Sequence, residues 1–270
     1  MGNDHPGLWT TPPGTEPNSV KPPTGVGAYA RPAMVVGLAF IATAVATLFA
    51  QATLVRTTRL HRPQDRAWTI ALAFVALASA ALATGASTGW DNGTFRVFYL
   101  LGAIVSVPWL ALGSLYLLTP IATARRVEGL LVLFSGLATG VMLAAPMHPV
   151  HGTAIPVGKH VFGVLPRVLA GVGNGLGATV IIVGALISAW RYGRDRAESG
   201  NARRAGANIL IALGTIVLSS GGLIQGIAGK DGAFVVSLAA GITVIYVGFL
   251  VAASTPSGRA SPVGVPTEAS

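Results

Sequence analysis

The chain has no cysteine. Disulfides, thiolate metal sites and cysteine nucleophiles are therefore excluded. Charge is scarce as well. Only 10% of the 270 residues are Asp, Glu, Lys or Arg, against about 25% in an ordinary soluble domain. Lysine is confined to Lys21, Lys159 and Lys230, so the net charge of +9 rests on arginine. Also missing is any Asp, Glu, Lys, Arg or His near the middle of a long apolar run; Glu128 and Arg167 stand at run ends. Intramembrane ionisable groups are the usual markers of ion and proton pathways. Their scarcity argues against a proton pump or a carrier that grips a cation with carboxylates. A retinal pigment would need a Schiff-base lysine in its last helix, and the last apolar run has none. No catalytic motif is legible.

What is present is apolar sequence, with 52% of the residues hydrophobic. It falls into seven runs, 33–55, 67–87, 95–118, 129–145, 165–190, 206–228 and 232–254. A membrane-crossing helix needs roughly 20 mostly apolar residues. So many runs leave too little polar sequence to coat them in water. The expected fold is all-α, a polytopic bundle of seven transmembrane helices over residues 32–254. Residues 1–31 carry Pro6, Pro12, Pro13, Pro17, Pro22 and Pro23 and lack the basic start and apolar core of a signal peptide. They read as an extended, mobile extracytoplasmic tail. Residues 255–270 read as a flexible cytoplasmic tail. The arginine bias and the Ala- and Gly-rich composition point to a bacterial chain in its plasma membrane.

Orientation follows from the short loops, because basic residues favour the cytoplasmic side. One side collects Arg56, Arg59, Arg62, Arg66, Arg125, Arg126, Arg191, Arg194, Arg196, Arg203, Arg204 and Arg259. The other holds Lys21, Arg31, Arg96, Lys159, Arg167 and Lys230. The N-terminus is thus expected outside and the C-terminus in the cytoplasm. The inner arginines are expected to meet anionic lipid headgroups rather than nucleic acid. Trp68 and Trp190 at the inner edge and Trp90 at the outer edge suit an aromatic belt.

Two turns look alike. Gly89-Trp90-Asp91-Asn92-Gly93-Thr94-Phe95 aligns, with one gap, to Gly229-Lys230-Asp231-Gly232-Ala233-Phe234, and each Phe is followed seven residues on by a glycine, Gly102 and Gly241. This points to a 3+1+3 plan, in which helices one to three and five to seven are parallel repeats and helix four is a linker. The alternative is chance alignment between Ala/Gly-rich helices.

Neutral polar residues mark a candidate interior. Asn174 lies near mid-bilayer in helix five, between two glycine pairs, Gly171/Gly175 and Gly173/Gly177, whose spacing allows close helix approach. Helix three carries Ser106-Val107-Pro108-Trp109. Pro108 has no N–H and leaves the Ile104 carbonyl without its helical donor. The indole N–H of Trp109 needs a partner. Asn174, Trp109, Ser106, Gln225 and Tyr246 are the candidate ligand-binding residues. Gln51, Ser219 and Ser220 could join them. The competing reading is a packing seam with polar ties and a structural bend.

The outer loop after helix four holds His148, His151 and His160 beside Met147. Imidazoles suit zinc, copper or haem iron, and Met suits copper, so these three are weaker metal candidates. No carboxylate or cysteine completes the set nearby, and the competing reading is a solvated loop. No resident cofactor is expected.

The stretches Phe98-Tyr99-Leu100-Leu101-Gly102-Ala103-Ile104 and Pro108-Trp109-Leu110-Ala111-Leu112-Gly113-Ser114-Leu115-Tyr116-Leu117-Leu118, together with Ser188-Ala189-Trp190-Arg191 and Asn208-Ile209-Leu210-Ile211-Ala212-Leu213-Gly214, resemble a group of uncharacterised bacterial seven-helix membrane proteins. The resemblance implies the fold and carries no activity. Function is left with a non-enzymatic protein that binds or translocates a small neutral or lipid-like molecule. The alternatives are an accessory or scaffold subunit, with a membrane-protein partner or a second copy of the chain, and a metal- or haem-binding protein using the outer histidines.

Overall fold

The computed structural model describes residues 26–194, 201–228 and 231–253. Among these residues the chain is helical, apart from loops and one antiparallel bridge between Met147 and Phe162. Seven helices are long and apolar enough to cross a membrane. They are α1 (Val26–Leu60), α2 (Pro63–Thr88), α3 (Asn92–Leu118), α4 (Ile121–Ala144), α5 (Val164–Arg194), α6 (Asn201–Ala228) and α7 (Asp231–Ala253). The protein is a multi-pass membrane protein with an all-α, seven-helix bundle. Helix α1 already begins at Val26, inside the segment expected to be an extended tail. The rest of that tail and residues 255–270 lie outside the described residues.

Most helices outrun their apolar stretches at the arginine-rich end. Helix α1 carries Arg56 and Arg59, α4 carries Arg125, Arg126 and Glu128, and α5 ends in Arg191 and Arg194. The apolar run stops where lipid stops. Backbone hydrogen bonding does not, so the helix continues into the headgroup layer. Within the spans, hydroxyls bond back to their own helix: Thr43 Oγ1 donates to the Ala39 carbonyl (2.8 Å), Thr53 to Ala50 (2.9 Å) and Thr57 to Thr53 (3.0 Å). That satisfies each polar group without water.

The helices close into a ring. Helix α1 packs on α2, α2 on α3, α3 on α5, α5 on α6, α6 on α7, and α7 back on α1. Helix α4 stands outside, against α3 and α5, and is the least buried of the spans. Advancing α1, α2 and α3 to α5, α6 and α7 maps every neighbour pair of the ring onto another. The two glycines picked out by the repeated turn occupy matching crossings. A Cβ on Gly102 would lie 3.2 Å from Ala78 of α2, and one on Gly241 would lie 2.9 Å from backbone atoms of Gly214 and Leu218 on α6. The aligned aspartates differ. The Asp91 carboxylate accepts from Gly93 N and Thr94 N and so caps α3, while Asp231 accepts from Ile155 N (2.9 Å).

Helix α3 absorbs Pro108 by widening. Residues Tyr99–Val105 are π-helical, and Ser106 N bonds to the Leu101 carbonyl, five residues back. A π-segment adds a residue to the turn and suits a place where the regular ladder is broken. The freed Ile104 carbonyl faces α5, where a Cβ on Gly173 would come within 2.8 Å of it. One on Gly177 would meet Pro108 N at 3.0 Å. Gly173 and Gly177 are therefore the seam that lets α5 seat on α3. Around Gly171 and Gly175 there is open space, so this pair joins no helices among the described residues.

At the end away from the arginines the bundle is capped. Trp90 N donates to the Gly152 carbonyl (2.8 Å), His148 N to Val161 (3.0 Å) and Val150 N to Asn92 Oδ1 (3.2 Å). Trp90, Phe95, Phe98, Tyr99 and Phe162 form one aromatic cluster beneath this loop. Phe98 reaches Phe234 across the ring (6.2 Å between centroids). Trp90 is thus buried under the loop, not placed in an interfacial belt.

Candidate functional site

The arginine-rich end is hollow. A cavity of about 300 Å³ lies inside the ring, between α1, α2, α3, α5, α6 and α7. Its deep walls are mostly apolar, with Phe49, Val107, Leu110, Ile181, Leu218, Ile245 and Phe249, and with Thr215 and Ser219 of α6 among them. Its mouth is polar, with Arg56, Arg62, Gln64, Asp65 and Trp68 from the α1–α2 corner and Tyr192, Arg204 and Asn208 from α5 and α6. Leu117, 59% exposed near the end of α3, also borders the cavity.

Local structure places the mouth. Helix α1 closes at His61, which adopts the left-handed conformation (φ 50°), the backbone state with which many helices end. The chain then re-enters a helix at Pro63, suited to a first helical turn. This tight corner sets Arg56 against Asp65, with Nε 3.6 Å from Oδ1. The Arg56 guanidinium also lies over the Phe249 ring, 5.2 Å from its centroid. Asp65 is fully buried, and neither carboxylate oxygen has a hydrogen-bond donor. The same holds for the Arg56 Nε as a donor. Opposite, Arg204 lies 5.8 Å from the Tyr192 ring centroid, and Asn208 Nδ2 donates to the Arg204 carbonyl (2.9 Å). The mouth so carries three guanidiniums against one carboxylate.

The residues expected to form the site are distributed otherwise. Trp109 Nε1 donates to Ser135 Oγ on α4 (3.1 Å), and its ring meets Phe74 of α2 edge-on. It ties the outlying α4 to the ring. Ser106 Oγ donates to the Gly102 carbonyl (3.0 Å). Tyr246 packs on Phe49, 5.0 Å between ring centroids. Asn174 is half-buried, and its Oδ1 is buried without a donor. None of these four lines the cavity. Gln225 falls in α6 but outside the described side chains. Ser219 does line the cavity. Gln51 is exposed. His148, His151 and His160 are all exposed on the capping loop, and no group of three or more potential metal ligands occurs among the described residues.

Several lining residues have a sequence signal that carries another meaning. Arg56, Arg62 and Arg204 read as topology signals, and Trp68 as part of a belt. Trp190, 59% exposed under the Arg194 guanidinium at 4.0 Å, fits the belt; Trp68 instead walls the cavity. Asp65 is the residue sequence reasoning missed. It is the one acid between the first two apolar runs, and it precedes Trp68 and Leu72 at helical spacing. That spacing puts all three on the buried side of α2.

Other charges have structural roles. Glu128 accepts from both Arg66 and Tyr116, joining α4 to α2 and α3. Arg96 donates to the Met142 and Ala145 carbonyls at the C-terminus of α4. Compared with protein-family models and with curated proteins, the chain matches none.

Proposed function

We propose that this protein binds, and passes between membrane leaflets or across the bilayer, a small neutral or lipid-like molecule held in the cavity at its arginine-rich end. The single observation that carries the reading is the cavity itself. It is enclosed by six helices, mostly apolar in its depth and polar at one mouth. Apolar concavities with a few convergent polar groups are where membrane and soluble proteins hold small ligands. A ring of parallel repeats around a central site is also the architecture of known carriers. The setting proposed is a bacterial plasma membrane, with the N-terminus outside and the arginine mouth facing the cytoplasm.

The test is to fill the cavity. Leu110→Trp and Ile181→Phe enlarge side chains on its wall. Protein extracted gently from its membrane should carry a bound small molecule by native mass spectrometry, and both variants should lose it while keeping helical content. Equal retention by both filled variants would sink the reading.

A second reading, an accessory subunit, draws on α4. This helix stands outside the ring and exposes Leu130, Leu133, Leu137 and Leu143. A stoichiometric second polypeptide that is lost on Leu133→Ser and Leu137→Ser would favour it.

A further inference from the structure

We infer that the cavity takes a single-chain phospholipid whose headgroup carries a hydrogen-bond donor beside its phosphate. This rests on the binding reading above and adds the chemistry of the ligand. Three observations converge. The first is charge: Arg56, Arg62 and Arg204 outnumber Asp65 at the mouth, and guanidiniums match phosphate oxygens in a bidentate fork. The second is Asp65. Its side chain is 1% exposed, and its nearest cation, Arg56 Nε, stands at 3.6 Å, beyond hydrogen-bond length. Both oxygens lack donors. A buried carboxylate without donors is expensive to leave so. An ammonium N–H arriving with the headgroup supplies a charge-assisted donor. The third is shape. The depth is walled by Leu110, Ile181, Leu218 and Ile245, and a volume of about 300 Å³ is at the small end of ligand pockets. That suits one acyl chain rather than two.

The headgroup chemistry is shared with soluble glycerophosphodiesters, and the chain decides between them. The test is native mass spectrometry of the full-length protein titrated with lysophosphatidylethanolamine, lysophosphatidylcholine, monoacylglycerol and glycerophosphoethanolamine. Lysophosphatidylethanolamine should bind most tightly. The choline compound keeps the glycerol hydroxyl but has no ammonium N–H, and should bind about tenfold more weakly, the worth of one charge-assisted hydrogen bond. Asp65→Asn should remove that preference. Arg204→Gln should weaken both phospholipids and leave monoacylglycerol unchanged, which also reports an intact fold. Should Asp65→Asn fail to fold, the double change with Arg56→Gln removes the pair together. If monoacylglycerol binds as well as the phospholipids, the inference is overturned and the neutral-ligand reading stands. If glycerophosphoethanolamine binds equally, the chain has no role and the inference fails. If none of the four binds, the inference fails, and the cavity-filling variants then decide the broader reading on its own.

Discussion

Arg96 shows how one residue can oppose a general trend for a local reason. It lies on the side poor in arginine, where a basic residue weakens the orientation signal. Its guanidinium takes up carbonyls at the C-terminus of α4, where the helix dipole favours a cation. Arg96→Leu should destabilise the protein by about 1.5–3 kcal/mol, the range for hydrogen bonds from a charged group, read as a lowered unfolding midpoint. Trp109 is a second case. Trp109→Phe keeps the packing on Phe74 but drops the bond to Ser135. It should cost about 1 kcal/mol and leave ligand binding unchanged; lost binding would instead return Trp109 to the site. Asp91 supplies a pH dependence. It lies just outside the α3 span, and the bond from the Thr94 hydroxyl, then that from Thr94 N–H, holds its carboxyl below the ordinary 3.8. A folded value below the unfolded one stabilises above 3.8, and that contribution is lost as pH falls through the folded value. Amide protection of Gly93 and Thr94 should therefore drop on acidification below the ordinary carboxylate range. Asp91→Ala should abolish that dependence.

Among elements, glycines separate into contacts and bystanders. Gly241 and Gly214 face each other so closely that a Cβ on either would lie 2.9 Å from the other's carbonyl oxygen. Backbone cannot retreat as a side chain can. Gly241→Val should cost about 1–3 kcal/mol or more through overpacking. Gly129 of α4 has nothing within 4 Å. Gly129→Ala should be neutral or gain about 0.5–1 kcal/mol, because alanine loses less backbone freedom on entering a helix. Equal effects at both positions in a denaturation series would contradict the packing described. Sequence spacing alone offers two pairs in α5, and only Gly173/Gly177 carries a contact. The difference lies in which face of α5 meets the Ile104 carbonyl, and this depends on α3 as much as on α5. Pro108 was legible as a break. The π-helical answer was not, since it depends on how Tyr99–Val105 accommodate the neighbours of α3.

At the scale of the whole molecule, the ring makes an asymmetric container, plugged by aromatics at one end and hollow at the other. Its orientation is open to direct measurement because the chain has no cysteine. A thiol introduced at exposed Thr153 on the capping loop, or at exposed Ala122 beside the arginines, would be the only one present. An impermeant thiol reagent applied to intact cells should label Thr153→Cys and spare Ala122→Cys; the reverse pattern would invert the topology.

The sequence by itself determined the helices and where each leaves the apolar layer. Solvation by lipid is a sum over residues, and a run of apolar side chains states it without reference to other segments. It also exposed the repeated turn and the proline break, which are local. Only the tertiary structure decided that Asp65 and Trp68 face a cavity while Trp109 ties down α4. It likewise decided that arginines which look like topology markers converge on one mouth. A cavity exists where six helix faces fail to meet, and that is a property of their packing and of no single run.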